Sequence, residues 1–303
     1  VAEPRQTTYR AKKFGAWLRQ LREAAGFKIE VAAERLKQSL VSEDDSRAGR
    51  YSKTTLSRFE LGHREVELEE LTALMDIYGV TDRRQRLQLR QLAETVRQRG
   101  WWDGMVENQD FADYVWAESM AERIDSYHLF YPGQIQAPEL AEALAVHGAS
   151  SSRAEIDTFL EVRLTRAELL GKSNGPEVRF LVTQAALDQR LRIFTPENYA
   201  AQFRYMLKVA GEEFPKVSLR YLPTDTDSPT VADINAGFTI LYLPDQWPTL
   251  VHAETPVGAV VNESPSPRID WAMEAFELLW SEAARSEEET VGYLEELLRE
   301  VTK

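Results

Sequence analysis

"SKTTLSRFELGHR", Ser52 to Arg64, is the stretch on which the reading of this chain turns. Ser52 is a natural helix N-cap, and Gly62 is a natural stop just past the helix end. Leu56 and Phe59 share one face. That leaves Lys53, Thr54, Ser57 and Arg58 on the other. Those four side chains donate hydrogen bonds to base edges or phosphates, and an arginine can bind guanine bidentately. The free N–H groups of the first helical turn also favour a nearby phosphate. A short helix with one apolar and one donor-rich face is what a DNA-reading helix needs, provided a second helix supports it.

Working outward, the flanks supply that support. Lys12 to Ala25 places Phe14, Trp17, Leu18 and Leu21 at helical spacing, and Gly26 ends the segment. Lys28 to Leu36 puts Ile29, Ala32, Ala33 and Leu36 on one side, with two alanines small enough for a close helix crossing. Downstream, Val66 to Tyr78 and Asp82 to Arg99 repeat the helical period. Five short helices within the first hundred residues predict a compact all-α bundle. Lys12, Lys13, Lys28, Arg50 and Arg64 are candidates for phosphate contacts around it.

Beyond "RGWW" (Arg99–Trp102) the pattern changes. Phe111 to Leu129, Pro138 to His147, Ser152 to Leu170, Pro196 to Phe214, Pro267 to Ala284 and Glu287 to Val301 are expected as helices. Val178 to Gln184 and the segments 217–222, 237–243, 249–254 and 258–263 are expected as strands. Short connections favour antiparallel pairing among the last three. The predicted fold is an all-α helix-turn-helix bundle over 10–80 and a connecting helix over 81–102. An α+β domain with a small, mostly antiparallel sheet follows over 103–303.

The charge is segregated in the same way. The net charge of the 303 residues is −13, which would repel DNA if it were spread evenly. Residues 1–65, however, hold 14 Lys/Arg against 9 Asp/Glu, and residues 101–303 hold 16 against 34. A basic reader joined to an acidic remainder fits a nucleic-acid-facing end and a partner-facing or merely soluble end. The absence of cysteine removes disulfides, thiolate metal sites and cysteine nucleophiles, and fits a reducing cytoplasm. No run approaches the length of a membrane helix, and the N-terminal residues lack the apolar core of a secretory signal.

These residues also carry a resemblance. "FGAWLRQLREAAGF" (14–27), "AAERL" (32–36) and "TTLSRFELGHREVELEELTALMDIYGV" (54–80) resemble the XRE-type, lambda- and 434-repressor-like helix-turn-helix regulators. "RGWW", "YHLFYPGQIQAPELAEAL" (127–144), "VTQAALDQRL" (182–191), "GFTILYLPD" (237–245) and "LVHAETPVGAVVNES" (250–264) resemble the C-terminal region of actinomycete WhiJ-like, antitoxin-like regulators. The resemblance implies a transcriptional regulator of double-stranded DNA whose base-contacting positions fall on Lys53, Thr54 and Arg58, with Ser57 nearby. It also implies a small partner protein.

Two features depart from the family pattern. A Ser-Gln pair usually opens the support helix, and here Lys28 and Ile29 stand in its place. The turn before the reading helix is longer by about thirteen residues within Lys37 to Tyr51, including Glu43, Asp44 and Asp45. A surface insertion of this size costs little in closure entropy. The simpler expectation is therefore a lengthened helix and a bulging loop, and the sharper one is an acidic loop over the DNA face.

Other candidates are weaker. His63, His128, His147 and His252 lack metal-ligand spacing. "GKSNG" (171–175) lacks the upstream glycine of a phosphate loop. Glu254 and Glu263 could face one another across adjacent strands, without an identifiable nucleophile. No catalytic constellation, metal site or cofactor is expected. The expectation is a cytoplasmic homodimer that binds DNA and is not an enzyme. Its acidic domain meets a small partner protein or, as the alternative, a small-molecule effector.

Overall fold

The computed structural model describes residues 7–41, 49–103, 105–106, 108–147, 152–234, 236–255 and 258–303. The chain divides into two compact units, Val1–Gln109 and Asp110–Lys303.

In the first unit the expected helices form as α1 (Tyr9–Ala24), α2 (Ile29–Leu40), α3 (Lys53–Glu60), α4 (Leu68–Ile77) and α5 (Arg83–Arg97). Their apolar stripes converge on one core of Phe14, Leu18, Ala32, Ala33, Leu36, Leu56, Phe59, Leu71, Leu74 and Met75, all buried. Each large side chain removed from water contributes about 1.5–3 kcal/mol. The helix expected to link the two units, α5, packs on α1 and α4 within the first.

Two glycines let α1 lie against the end of α3. A Cβ at Gly15 would sit 2.5 Å from the Phe59 carbonyl oxygen. Gly62, with φ +71°, takes the left-handed turn that ends α3, and a Cβ there would sit 2.6 Å from the Ala11 carbonyl. The same crossing buries an ion pair. Arg22 Nε and Nη2 donate to the two Glu60 carboxylate oxygens at 2.6 and 2.9 Å, and Arg22 Nη1 donates to the Phe27 carbonyl at 2.8 Å.

The second unit has the order α6 (Gln109–Met120), β1 (Arg123–His128), α7 (Pro138–His147), α8 (Arg153–Leu170), β2 (Glu177–Thr183), α9 (Gln184–Asp188), α10 (Pro196–Val209), β3 (Val217–Leu222), α11 (Pro229–Asp233), β4 (Phe238–Tyr242), β5 (Leu250–Thr255), β6 (Gly258–Glu263), α12 (Pro267–Leu278) and α13 (Glu287–Val301). A π-helical turn, Leu279–Ala283, follows α12. The six strands form one mixed sheet in the order β3-β2-β1-β4-β5-β6. β1, β2 and β3 run parallel, through helical crossovers, and β4 joins β1 antiparallel, while β5 and β6 add antiparallel to β4 in turn, as expected from their short connections. The unit is α+β, with three of five pairings antiparallel. α12 covers one face, where Tyr127, Leu181, Ile240 and Val251 meet Ile269, Phe276 and Leu279.

One expectation fails here. Phe111 to Leu129 is not a single helix, because α6 stops at Met120 and residues 123–128 form β1. β1 lies in the middle of the sheet, so Ile124, Asp125, Ser126 and Tyr127 are all buried and the apolar–polar alternation of a half-exposed strand is missing. Its polar residues find partners both within the strand and from distant segments. Asp125 receives a bidentate bond from Arg179 at 2.7 and 2.9 Å, and Ser126 Oγ lies 2.7 Å from Thr239 Oγ1 and 2.5 Å from His128 Nε2.

Candidate nucleic-acid interface

The Ser52 hydroxyl caps α3, accepting from the Thr55 N–H at 3.3 Å. The helix end is closed by the Gly62 turn, in which His63 N–H donates to the Arg58 carbonyl at 2.8 Å and Gly62 N–H to the Phe59 carbonyl at 3.0 Å. Between these two stops the helix has eight residues. Thr55, Leu56, Phe59 and Glu60 face inward, Lys53, Thr54 and Arg58 are exposed, and Ser57 is half-buried. The structure thus brings together on one outward face the four residues that the sequence placed there. Leu61, 50% exposed, adds an apolar position at its end.

α2 packs across α3 as the support helix. Its first residue departs from the usual cap as the sequence predicted. Lys28 occupies the N-cap position in extended backbone and makes no side-chain cap bond. Its side chain is exposed at the start of that turn. One contact was not foreseen: Lys53 Nζ pairs with Glu30 Oε1 at 2.7 Å, tying the first turn of α3 to the first turn of α2. The bond from Lys53 holds the Glu30 carboxyl below its ordinary value. Both side chains are exposed, so water and salt screen the pair, and Lys53 can exchange Glu30 for a phosphate or base.

Arg50 and Arg64, also expected at phosphates, are not isolated cations. Arg64 Nη2 lies 3.1 Å, and Arg50 Nη2 3.6 Å, from the same oxygen, Glu70 Oε1. The Arg64 guanidinium also lies over the Phe59 ring, 5.0 Å from its centre. Lys12 is exposed, and Lys13 is half-buried with its ammonium 5.9 Å from the Trp17 ring. The sequence reading missed Glu30 and Glu70. Its one available signal for Glu70 was the Glu67–Glu70 spacing of a capping box, which forms at the start of α4.

The insertion resolves into three parts. α2 runs on to Leu40, four residues past the expected end, and Gly49 and Arg50 make one 3-10 turn before α3. Residues 42–48, with Glu43, Asp44 and Asp45, lie outside the described residues.

The remaining candidates do not build a second site. Among the described residues, no group of three or more His, Asp or Glu is placed to hold a metal ion. His63 and His147 are exposed. His252 lies against Tyr114, the two rings tilted by 33° with centres 4.3 Å apart. Burial and the Arg166 charge push the His128 imidazole down to about 3, so it stays neutral beside Ser126. Glu118 is held by Arg166 at 2.7 and 3.0 Å and by Gln134. Gly171 ends α8, so "GKSNG" is a helix-ending turn. The Glu254 side chain of the suggested carboxylate pair lies outside the described residues. No described helix is long and apolar enough to cross a membrane.

Comparison with known proteins agrees with this division. Residues 13–89, which span α1 to α4 and part of α5, match a helix-turn-helix domain. Neither a curated protein nor a solved structure matches the chain. Residues 111–296, more than half of the chain, match a domain of unknown function, DUF5753, and the chain belongs to that family.

Proposed function

We propose that the chain is a sequence-specific, dimeric transcriptional regulator of the XRE type. Its first unit reads double-stranded DNA through α3. The observation that carries this reading is the outward face of α3, where Thr54 and Arg58 stand exposed on a helix anchored by buried Leu56 and Phe59. Lys53, Thr54 and Arg58, with Ser57 beside them, supply base choice. Lys28, Arg50 and Arg64 supply phosphate contacts. An eight-residue helix reaches few bases, so useful affinity calls for two copies on a two-fold symmetric site. The role is binding rather than catalysis. The acidic second unit, with 16 Lys/Arg against 34 Asp/Glu over 101–303, suits a small basic partner protein of the kind that serves antitoxin-like, WhiJ-like regulators.

The test is selection of duplexes from a random-sequence DNA pool with the full chain, followed by titration of selected and random duplexes at several salt concentrations. We expect one enriched, two-fold symmetric sequence and an affinity that falls linearly on a log–log salt plot. No enriched sequence, or a flat salt response, sinks the reading.

A second reading, a small-molecule effector in the second unit, is favoured by a different observation. Tyr131 Oη and Gln136 Oε1 are buried without a hydrogen-bond partner among the described residues; Gln136 donates to the Tyr131 carbonyl, and the Tyr131 ring lies against Phe130, which stacks on Phe194. Native mass spectrometry of the purified chain tests it, and a bare protein mass that no small molecule shifts counts against it.

A further inference from the structure

The two arginines at the ends of α3 are organised by one carboxylate. Arg50 precedes α3, at the exit of the insertion, and Arg64 follows the Gly62 turn. Both reach Glu70 Oε1, at 3.6 and 3.1 Å. The second oxygen, Oε2, accepts the Glu67 N–H at 2.9 Å and so fixes the carboxylate to the start of α4. Glu70 itself is only 1% exposed, whereas the Arg50 and Arg64 side chains are 43% and 26% exposed. The carboxylate thus accepts one bond from Arg64 and one from the Glu67 N–H and holds Arg50 by charge, all from within the unit. Each guanidinium has five N–H donors; Arg64 commits one to Glu70 and Arg50 is held at ion-pair distance, so both partly exposed side chains keep donors to offer a phosphate. Arg50 is placed independently as well, since its carbonyl accepts the Thr55 hydroxyl at 2.6 Å, one turn into α3.

We infer that Glu70 is a positioning residue that presents Arg50 and Arg64 together as a clamp for a backbone phosphodiester of duplex DNA. The inference rests on the DNA-reading role proposed above and deepens it. Two guanidiniums drawn to one oxygen would repel each other if that carboxylate were neutral, and each would lose rotamer entropy to meet the same phosphate. The buried charge offsets both costs before DNA arrives. It also makes the exit of the insertion part of the interface.

The sign of one measurement separates this role from plain electrostatics. Glu70→Gln keeps a side chain able to cap α4 but removes a negative charge near DNA. Electrostatics alone then predicts tighter binding. Positioning predicts weaker binding, by roughly fivefold at about 0.15 M salt for each phosphate that is no longer neutralised, with a log–log salt slope shallower by about 1. The weakening should be equal on selected and random duplexes, because phosphates carry no sequence. In an Arg50→Ala, Arg64→Ala double variant, Glu70→Gln should no longer weaken binding.

A Glu70→Gln protein that melts as a folded chain and binds as tightly as the wild type, or more tightly, overturns the clamp while leaving the DNA reading intact. If Glu70→Gln does not fold, Arg50→Ala, at a largely exposed position, decides in its place. An unchanged salt slope there overturns the clamp, and a slope shallower by about 1 supports it. A wild-type chain that binds no duplex overturns both readings.

Discussion

At the scale of single residues, the surface around α3 holds donors that are exposed and, among the described residues, without a carboxylate partner, beside donors that are engaged. Thr54 and Arg58 stand exposed, while Lys53 is tied to Glu30 and Arg64 to Glu70. Arg58 is the side chain on that face with the largest reach and a fork that matches guanine. Arg58→Ala should weaken binding to the selected duplex by about 1–3 kcal/mol and relax one base preference, with a much smaller effect on random DNA. Equal effects on the two duplexes, measured by titration at one salt concentration, would reassign Arg58 to a phosphate.

At the scale of elements, the presentation of α3 depends on how closely α1 approaches it. Gly62 is decisive because two requirements coincide there. Its backbone is left-handed at φ +71°, and the space a Cβ would need is occupied by the Ala11 carbonyl at 2.6 Å. Gly62→Ala should destabilise the first unit by about 1–3 kcal/mol for the backbone conformation alone, with the clash adding to it. The destabilisation should appear as a lower denaturation midpoint for the helical signal and as weaker binding to both selected and random duplexes. A variant with an unchanged midpoint would show that α1 can shift at little cost. The buried Arg22–Glu60 pair works at the same crossing, and removing Arg22 leaves the Glu60 carboxylate buried without its ion-pair partner.

At the scale of the whole molecule, charge is divided between the ends of the chain. The basic excess lies in residues 1–65 and the acidic excess beyond residue 100, so the formal charge of −13 does not describe the surface that meets DNA. The acidic part sets the long-range field, which salt screens within about 10 Å at 0.1 M. On the proposed reading, a short eight-residue helix makes its own demand on the assembly: two copies are needed to reach enough bases. The full chain should sediment as a dimer when bound to the selected duplex, at two chains per duplex. A stoichiometry of one chain per specific duplex would exclude the two-fold reading.

Much of this was legible from local pattern. The helical period of the first hundred residues, the Ser52 cap, the Gly62 stop and the inward Leu56 and Phe59 gave α3 and its outward face. They did so because capping and periodicity act within a few residues of one another. The strands β2 to β6 followed from β-branched runs, and the antiparallel pairing of β4, β5 and β6 from short turns. What the local pattern could not show depends on neighbours far along the chain. β1 is a strand because the sheet buries it on both faces and Arg179 and Thr239 satisfy its polar residues. Arg50 and Arg64 converge because Glu70, at the start of another helix, lies within reach of both. The sequence by itself determined which residues α3 presents and where the basic and acidic parts lie, since caps, periods and charges are properties of short segments. Only the tertiary structure decided which of the basic residues near α3 are already held by a carboxylate, because an ion pair between separate elements depends on packing and leaves no spacing in the chain.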